Sequence, residues 1–204
     1  MSSAAASMPD VSSEDRLRAD LYNFMGLLLA APPDALLLEQ TAALGGDADT
    51  DLGQAITGLA DAAAKADPRD VAREYNALFI GLGRGELLPY ASYYLTGFLN
   101  EKPLATLRQD LRARRVSRAP DRFEPEDNIA TLMEVMAGLI VGRFDAPATI
   151  EDQKTFFNRH LAPWAGHFFS DLEKAKTARL YAHVGRVGRA FVEIEREGFR
   201  LASE

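Results

Sequence analysis

A chain of 204 residues can hold one generous domain or two small ones, and it buries enough surface to need no covalent staples. It contains no cysteine, which excludes disulfides, thiolate metal sites, iron–sulfur ligation and cysteine nucleophiles. The 23 Lys and Arg against 30 Asp and Glu leave a net charge of −7, which disfavours duplex nucleic acid and favours basic partners or plain solubility.

The amino terminus lacks the basic and apolar regions of a secretory signal. No apolar run reaches the ~20 residues of a membrane span. The expectation is a cytoplasmic protein in which residues 1–13 form a flexible tail ahead of a helical domain over 14–204. Composition points the same way on fold class, since 33 Ala and 26 Leu outweigh 14 Val plus Ile, and β-branched residues are the ones that favour strands.

In chain order, the first helix carries Leu17, Leu21, Phe24 and Leu28 on one stripe, with Ser13 as its cap and Pro32 and Pro33 as its stop. Further helices are predicted at 34–44, 51–65, 69–80, 91–99 and 103–115, the fourth opened by Asp67-Pro68. Glu124-Pro125-Glu126-Asp127 is predicted to open a helix whose apolar positions are Ile129, Leu132, Met133, Met136, Leu139 and Ile140, its acids facing the positive end of the dipole. Two helices flank Pro163, and a last one carries Leu180, Val184, Val187, Phe191 and Ile194. The whole reads as an all-α, single-domain bundle of roughly nine helices, with a hinge loop near residues 116–123.

Few motifs suggest chemistry. His160, His167 and His183 fall into no metal-ligand spacing, and they read as surface or capping residues. No nucleophile elbow is present. Gly81, Gly83 and Gly85 resemble a phosphate loop, yet they follow a helix rather than a strand and lack the lysine, so a helix cap explains them equally well. Arginines 108, 112, 114, 115, 118 and 122 form a basic stretch that neutralises neighbouring acids or binds an anion. Leu87, Leu88, Pro89, Tyr90, Tyr93, Tyr94 and Phe98 form an aromatic and apolar run that suits both a core and a peptide groove.

Three segments together resemble the TorD/DmsD/NarJ family. They are Glu74-Tyr75-Asn76-Ala77-Leu78-Phe79-Ile80-Gly81 with Pro89-Tyr90-Ala91-Ser92-Tyr93-Tyr94, then Glu124-Pro125-Glu126-Asp127-Asn128, then Phe156-Phe157-Asn158-Arg159-His160-Leu161-Ala162-Pro163-Trp164. The resemblance implies an all-helical, non-enzymatic, cytoplasmic chaperone for maturation of molybdenum-cofactor oxidoreductases. Such a chaperone binds the twin-arginine signal peptide or N-terminal region of the apo-enzyme, supports cofactor insertion and delays export, as a monomer or a domain-swapped homodimer.

Carried over by position, the implied peptide-binding residues are Tyr75, Leu78, Phe79, Pro89, Tyr90, Ser92, Tyr94, Glu124, Pro125, Glu126, Asp127 and Asn128. In this reading the three acids accept the guanidiniums, while the aromatics hold the apolar stretch. Two departures stand out: Gly81-Leu82 replaces the family's Gly-Pro, and Asn128 replaces its His. No catalytic residue, metal or resident cofactor is implied. The alternatives are a GTP-binding protein using the 81–85 loop, and a helical adaptor whose tyrosines are wholly in the core.

Overall fold

The first helix, α1 (Ser13–Ala30), starts where the Ser12 hydroxyl accepts the Asp15 amide at 3.0 Å, one residue ahead of the expected cap. A computed structural model describes residues 11–117 and 124–202; most of the expected tail and of the expected hinge lies outside those residues. Leu17 departs from its predicted place, being 71% exposed. The rest of the stripe faces inward, Leu28 buried and Leu21 and Phe24 half-buried against the core, and Ala19, Tyr22, Met25, Gly26 and Leu29 join it there. The reason is the neighbour: a Cβ on Gly26 would lie 3.3 Å from Glu134, so α1 turns its smallest residue to the helix it crosses.

Asp34 caps α2 (Ala35–Ala42) and Thr50 caps α3 (Asp51–Ala63). Asp67 caps α4 (Pro68–Tyr75), with Pro68 in the first turn. The chain then widens into a π-turn at Asn76–Ile80, closed by the Gly81 amide on the Asn76 carbonyl at 2.7 Å. Next come α5 (Ala91–Thr96), ended by Gly97 at φ +83°, and α6 (Lys102–Ala113).

The helix after the acidic run, α7 (Ile129–Val141), begins later than predicted. Asn128 is its cap, accepting the Ala130 amide at 2.9 Å, so the four residues 124–127 precede the helix rather than open it. Ten of the thirteen residues of α7 are buried, which marks it as the central helix, and α1 packs extensively against it. The chain ends with α8 (Ile150–His160), α9 (Ala165–Lys174) and α10 (Leu180–Leu201). Among the described residues there are ten α-helices and no strand.

α10 packs on α9 and α3, and its approach to α9 depends on two glycines. A Cβ on Gly185 would stand 2.5 Å from the Glu173 amide nitrogen, and one on Gly188 would stand 2.3 Å from the Phe169 ring. A polar cluster ties α10 to α1: Arg18 donates to both oxygens of buried Glu195 at 2.8 Å, and the Tyr22 hydroxyl donates to Glu195 at 2.9 Å. Ile194, predicted to face inward, is 50% exposed beside it.

Candidate functional site

The first two signature segments meet in space through their backbones. Tyr90 and Asn128 form an isolated antiparallel bridge, in which Ala91 donates to the Asp127 carbonyl at 3.0 Å and Ile129 donates to the Pro89 carbonyl at 2.9 Å. Residues 34 or more apart in sequence are thereby held in fixed register, and the starts of α5 and α7 lie side by side. Pro89 suits this place because it has no N–H to leave unpaired.

The three acids of the second segment have three different surroundings. Asp127 is completely buried; its Oδ2 accepts the Ser92 amide at 2.8 Å. Tyr90 at the α5 start provides no side-chain cap, so Asp127 performs that role from a distant part of the chain. Glu126 is paired with Arg108, at 2.8 Å to Nη2. Glu124 remains exposed, accepts the Tyr90 hydroxyl, and has no cation within ion-pair distance among the described residues. Partial burial raises its pKa above the usual carboxylate value. As a receptor for an incoming guanidinium, the expected trio therefore reduces to Glu124: Asp127 faces the interior and Glu126 already has its arginine.

The expected aromatic and apolar residues divide in the same way. Leu78 and Ser92 are fully buried, and Tyr75 nearly so, its hydroxyl reaching the Leu29 carbonyl at 3.3 Å. Phe79 stacks edge-on against Tyr75 and Tyr181, at 5.0 and 5.4 Å between centroids. Tyr94 leans on Trp164 and Phe168, donates to Asp171 at 3.0 Å, and has its pKa raised by burial and that carboxylate. Tyr90 and Tyr94 are both half-buried, so neither lies wholly inside as the adaptor reading requires. Pro125 serves the turn, its carbonyl accepting the Asn128 amide at 3.1 Å.

Two carboxylates that sequence reasoning passed over act as Asp127 does. Glu74 takes the amides of Arg179, Leu180 and Tyr181 at 2.6, 3.2 and 2.8 Å, capping α10. Glu86 takes the amides of Lys176 and Thr177 and the Thr177 hydroxyl, the last chiefly lowering its pKa. In each case the sequence signal was a negative one: the capped helix or turn lacks a cap of its own. Arg179 stands where α10 would have one.

The 81–85 loop folds back on the helix end it follows. Gly81 and Gly83 have φ of +62° and +93°, and the amides of Glu86 and Leu87 return to the carbonyls of Ala77 and Leu78. A Cβ on Gly85 would lie 2.5 Å from the Leu78 carbonyl oxygen, which explains a glycine there without a ligand. Of the basic stretch, Arg108 pairs with Glu126 and Arg114 with Asp152, while 118 and 122 lie outside the described residues. His160 corrects its expected surface placement: it is buried, with Nε2 2.7 Å from Asp110, and burial depresses its pKa against the pull of that acid. Among the described residues no group of three or more potential ligands could hold a metal, and no helix is long and apolar enough to cross a membrane.

Two cavities flank the bridge. One, of about 210 Å³, is lined by Glu124, Glu126, Glu134 and Arg143 together with Leu111, Val116 and Phe144. The other, of about 290 Å³, lies between α5, α6 and α8 and reaches Asp127 and His160.

The structure is an all-helical bundle in which two signature segments clasp one another between two recesses, one lined by Glu124, Glu126 and Glu134 and the other reaching Asp127. The chain belongs to the family described as nitrate reductase delta subunit, whose model matches residues 46–170, in agreement with the TorD/DmsD/NarJ resemblance of its motifs. It is similar to the chaperone protein TorD of Aliivibrio fischeri, 27% identical over 181 residues, covering 79% of this chain and 84% of that protein. It is also similar to the TorD of Vibrio cholerae serotype O1, 28% identical over 131 residues, covering 61% of this chain. The match spans 60% of that relative's length. A redox enzyme maturation protein from Archaeoglobus fulgidus shares the fold, with a TM-score of 0.57 and 23% identity over 87% of this chain and 94% of that one.

Proposed function

We propose that the protein is a non-catalytic chaperone of redox-enzyme maturation, one that binds the twin-arginine signal peptide or N-terminal region of an apo-molybdoenzyme. In this reading it holds the client back from export while the molybdenum cofactor is inserted. Its curated relatives are named chaperones. The observation that carries the reading is Glu124, a partly desolvated carboxylate without a cationic partner among the described residues, lining a largely apolar recess. A guanidinium would restore the compensation that burial removes, and its planar donors suit a carboxylate. The apolar stretch that follows the arginines would lie along Val116, Leu111 and Phe144.

Calorimetry with a synthetic twin-arginine peptide tests this. Saturable, salt-sensitive binding is expected. Glu124→Gln weakens it about two- to fivefold, on the order of 0.4 to 1 kcal/mol for a largely exposed ion pair. Lysines in place of the two arginines weaken it as well. An affinity untouched by Glu124→Gln would refute the acid-site reading.

A further inference from the structure

A larger cavity, of about 850 Å³, opens where the end of α3 and the start of α4 meet the turn between α9 and α10. It shares no wall residue with the two recesses beside the bridge. Lys65, Lys176, Arg179 and His183 all line it, a concentration of nitrogen donors on a chain whose net charge is −7.

Three acids share these walls, and each is already engaged. Glu74 accepts three amides at the start of α10, Asp67 caps α4, and Asp70 is paired with Arg73. Glu86, whose charge reaches Lys176, is held by the amides of Lys176 and Thr177 and by the Thr177 hydroxyl. Among the described residues no ion pair neutralises Lys65, Lys176 or Arg179, and no hydrogen bond engages the His183 ring. That ring lies against Gly58, where a Cβ would stand 3.2 Å from Nδ1, so the glycine leaves the imidazole its place at the wall. Because Glu74 takes the first amides of α10, an occupant would be held by side chains alone.

The donors come from the turn after α3, the turn before α10 and the first turns of α10, and so approach from several directions. A carboxylate presents two oxygens in one plane. A phosphate monoester presents three terminal oxygens in a tetrahedral arrangement and carries nearly two charges. The volume far exceeds a bare phosphate, and Ala62, Val71 and Leu180 give a carbon body apolar wall to lie against.

We propose that this cavity binds the phosphate monoester of a small organic molecule, its phosphate on Lys65, Lys176, Arg179 and His183. The site goes beyond the arginine-receptor reading and uses none of its residues, so either can fail without the other.

Amide NMR titrations of the full chain with phenyl phosphate, benzoate, inorganic phosphate and tetraglutamate test it. Phenyl phosphate should shift the amides of Lys65, Lys176, Arg179 and His183 to saturation, and added salt should weaken it. Benzoate and tetraglutamate lack the third oxygen, inorganic phosphate lacks the carbon body, and each should bind at least about fivefold more weakly. Lys65→Gln combined with Arg179→Gln, both at exposed positions, should keep the parent's fold and weaken phenyl phosphate at least about fivefold. Glu124→Gln should leave its affinity unchanged. Benzoate or tetraglutamate binding as tightly as phenyl phosphate, or inorganic phosphate doing so (an adventitious ion only), would overturn the proposal. So would a double variant with parent affinity, or no saturable shift at these amides.

Discussion

Replacing Asp127 by Ala should reduce stability, although the residue lies in the acidic run that the sequence offers as a receptor. The substitution removes a charge-assisted bond to the buried Ser92 amide, worth about 1.5 to 3 kcal/mol, and leaves that amide without a partner. Removal of Oδ1, which has no hydrogen-bond partner among the described residues, offsets part of the loss. The net expectation is about 2 kcal/mol, which for a chain of this length lowers the midpoint of thermal unfolding by roughly 4 to 8 °C. Asp127→Asn preserves shape and one acceptor, so it should stay within about 1 kcal/mol of the parent. Urea unfolding followed by far-ultraviolet circular dichroism measures both, with Glu124→Gln as the control expected to unfold like the parent. Parent-like stability in Asp127→Ala would show that the buried cap is not what holds the start of α5, and the reasoning would fail.

Three further outcomes follow from the packing. Glu195→Leu leaves Arg18 and Tyr22 without their shared acceptor and should cost about 3 to 5 kcal/mol, whereas adding Arg18→Met and Tyr22→Phe should recover most of it; denaturant curves of the single and triple variants check this. Gly188→Ala drives a methyl into the Phe169 ring and should cost about 1 to 3 kcal/mol in the same assay, while Gly198→Ala, with open space around it, should cost nothing or add a little stability. His160 has a folded pKa below its ordinary 6.5, burial outweighing Asp110. The unfolded chain therefore binds the proton more readily, and this residue's contribution to stability is intact above about 6.5 and declines as pH falls below it. The loss of unfolding free energy between pH 7.5 and 5.5 should accordingly be smaller in His160→Gln; an unchanged loss would contradict a neutral buried imidazole.

Local chemistry, and hence the sequence, determined most of the helices. Alanine and leucine excess, Asp67-Pro68, Pro32-Pro33 and the apolar spacing of residues 129–140 each act within a turn or two of the chain, and the structure places helices accordingly. Motif order likewise disclosed the family, which the match over residues 46–170 establishes. The buried face of α1 was legible in part: Leu21, Phe24 and Leu28 meet the core as their spacing predicts, whereas Leu17 is exposed and Tyr22 and Met25 go deepest because α7 approaches at Gly26. The division among Glu124, Glu126 and Asp127 was not legible. Three acids in four residues look alike in sequence, but α5 needs a cap that Tyr90 does not provide, Arg108 reaches one carboxylate, and the third is left facing solvent. The fate of a carboxylate depends on which unpaired donor the fold brings to it, and that donor lies tens of residues away in the chain.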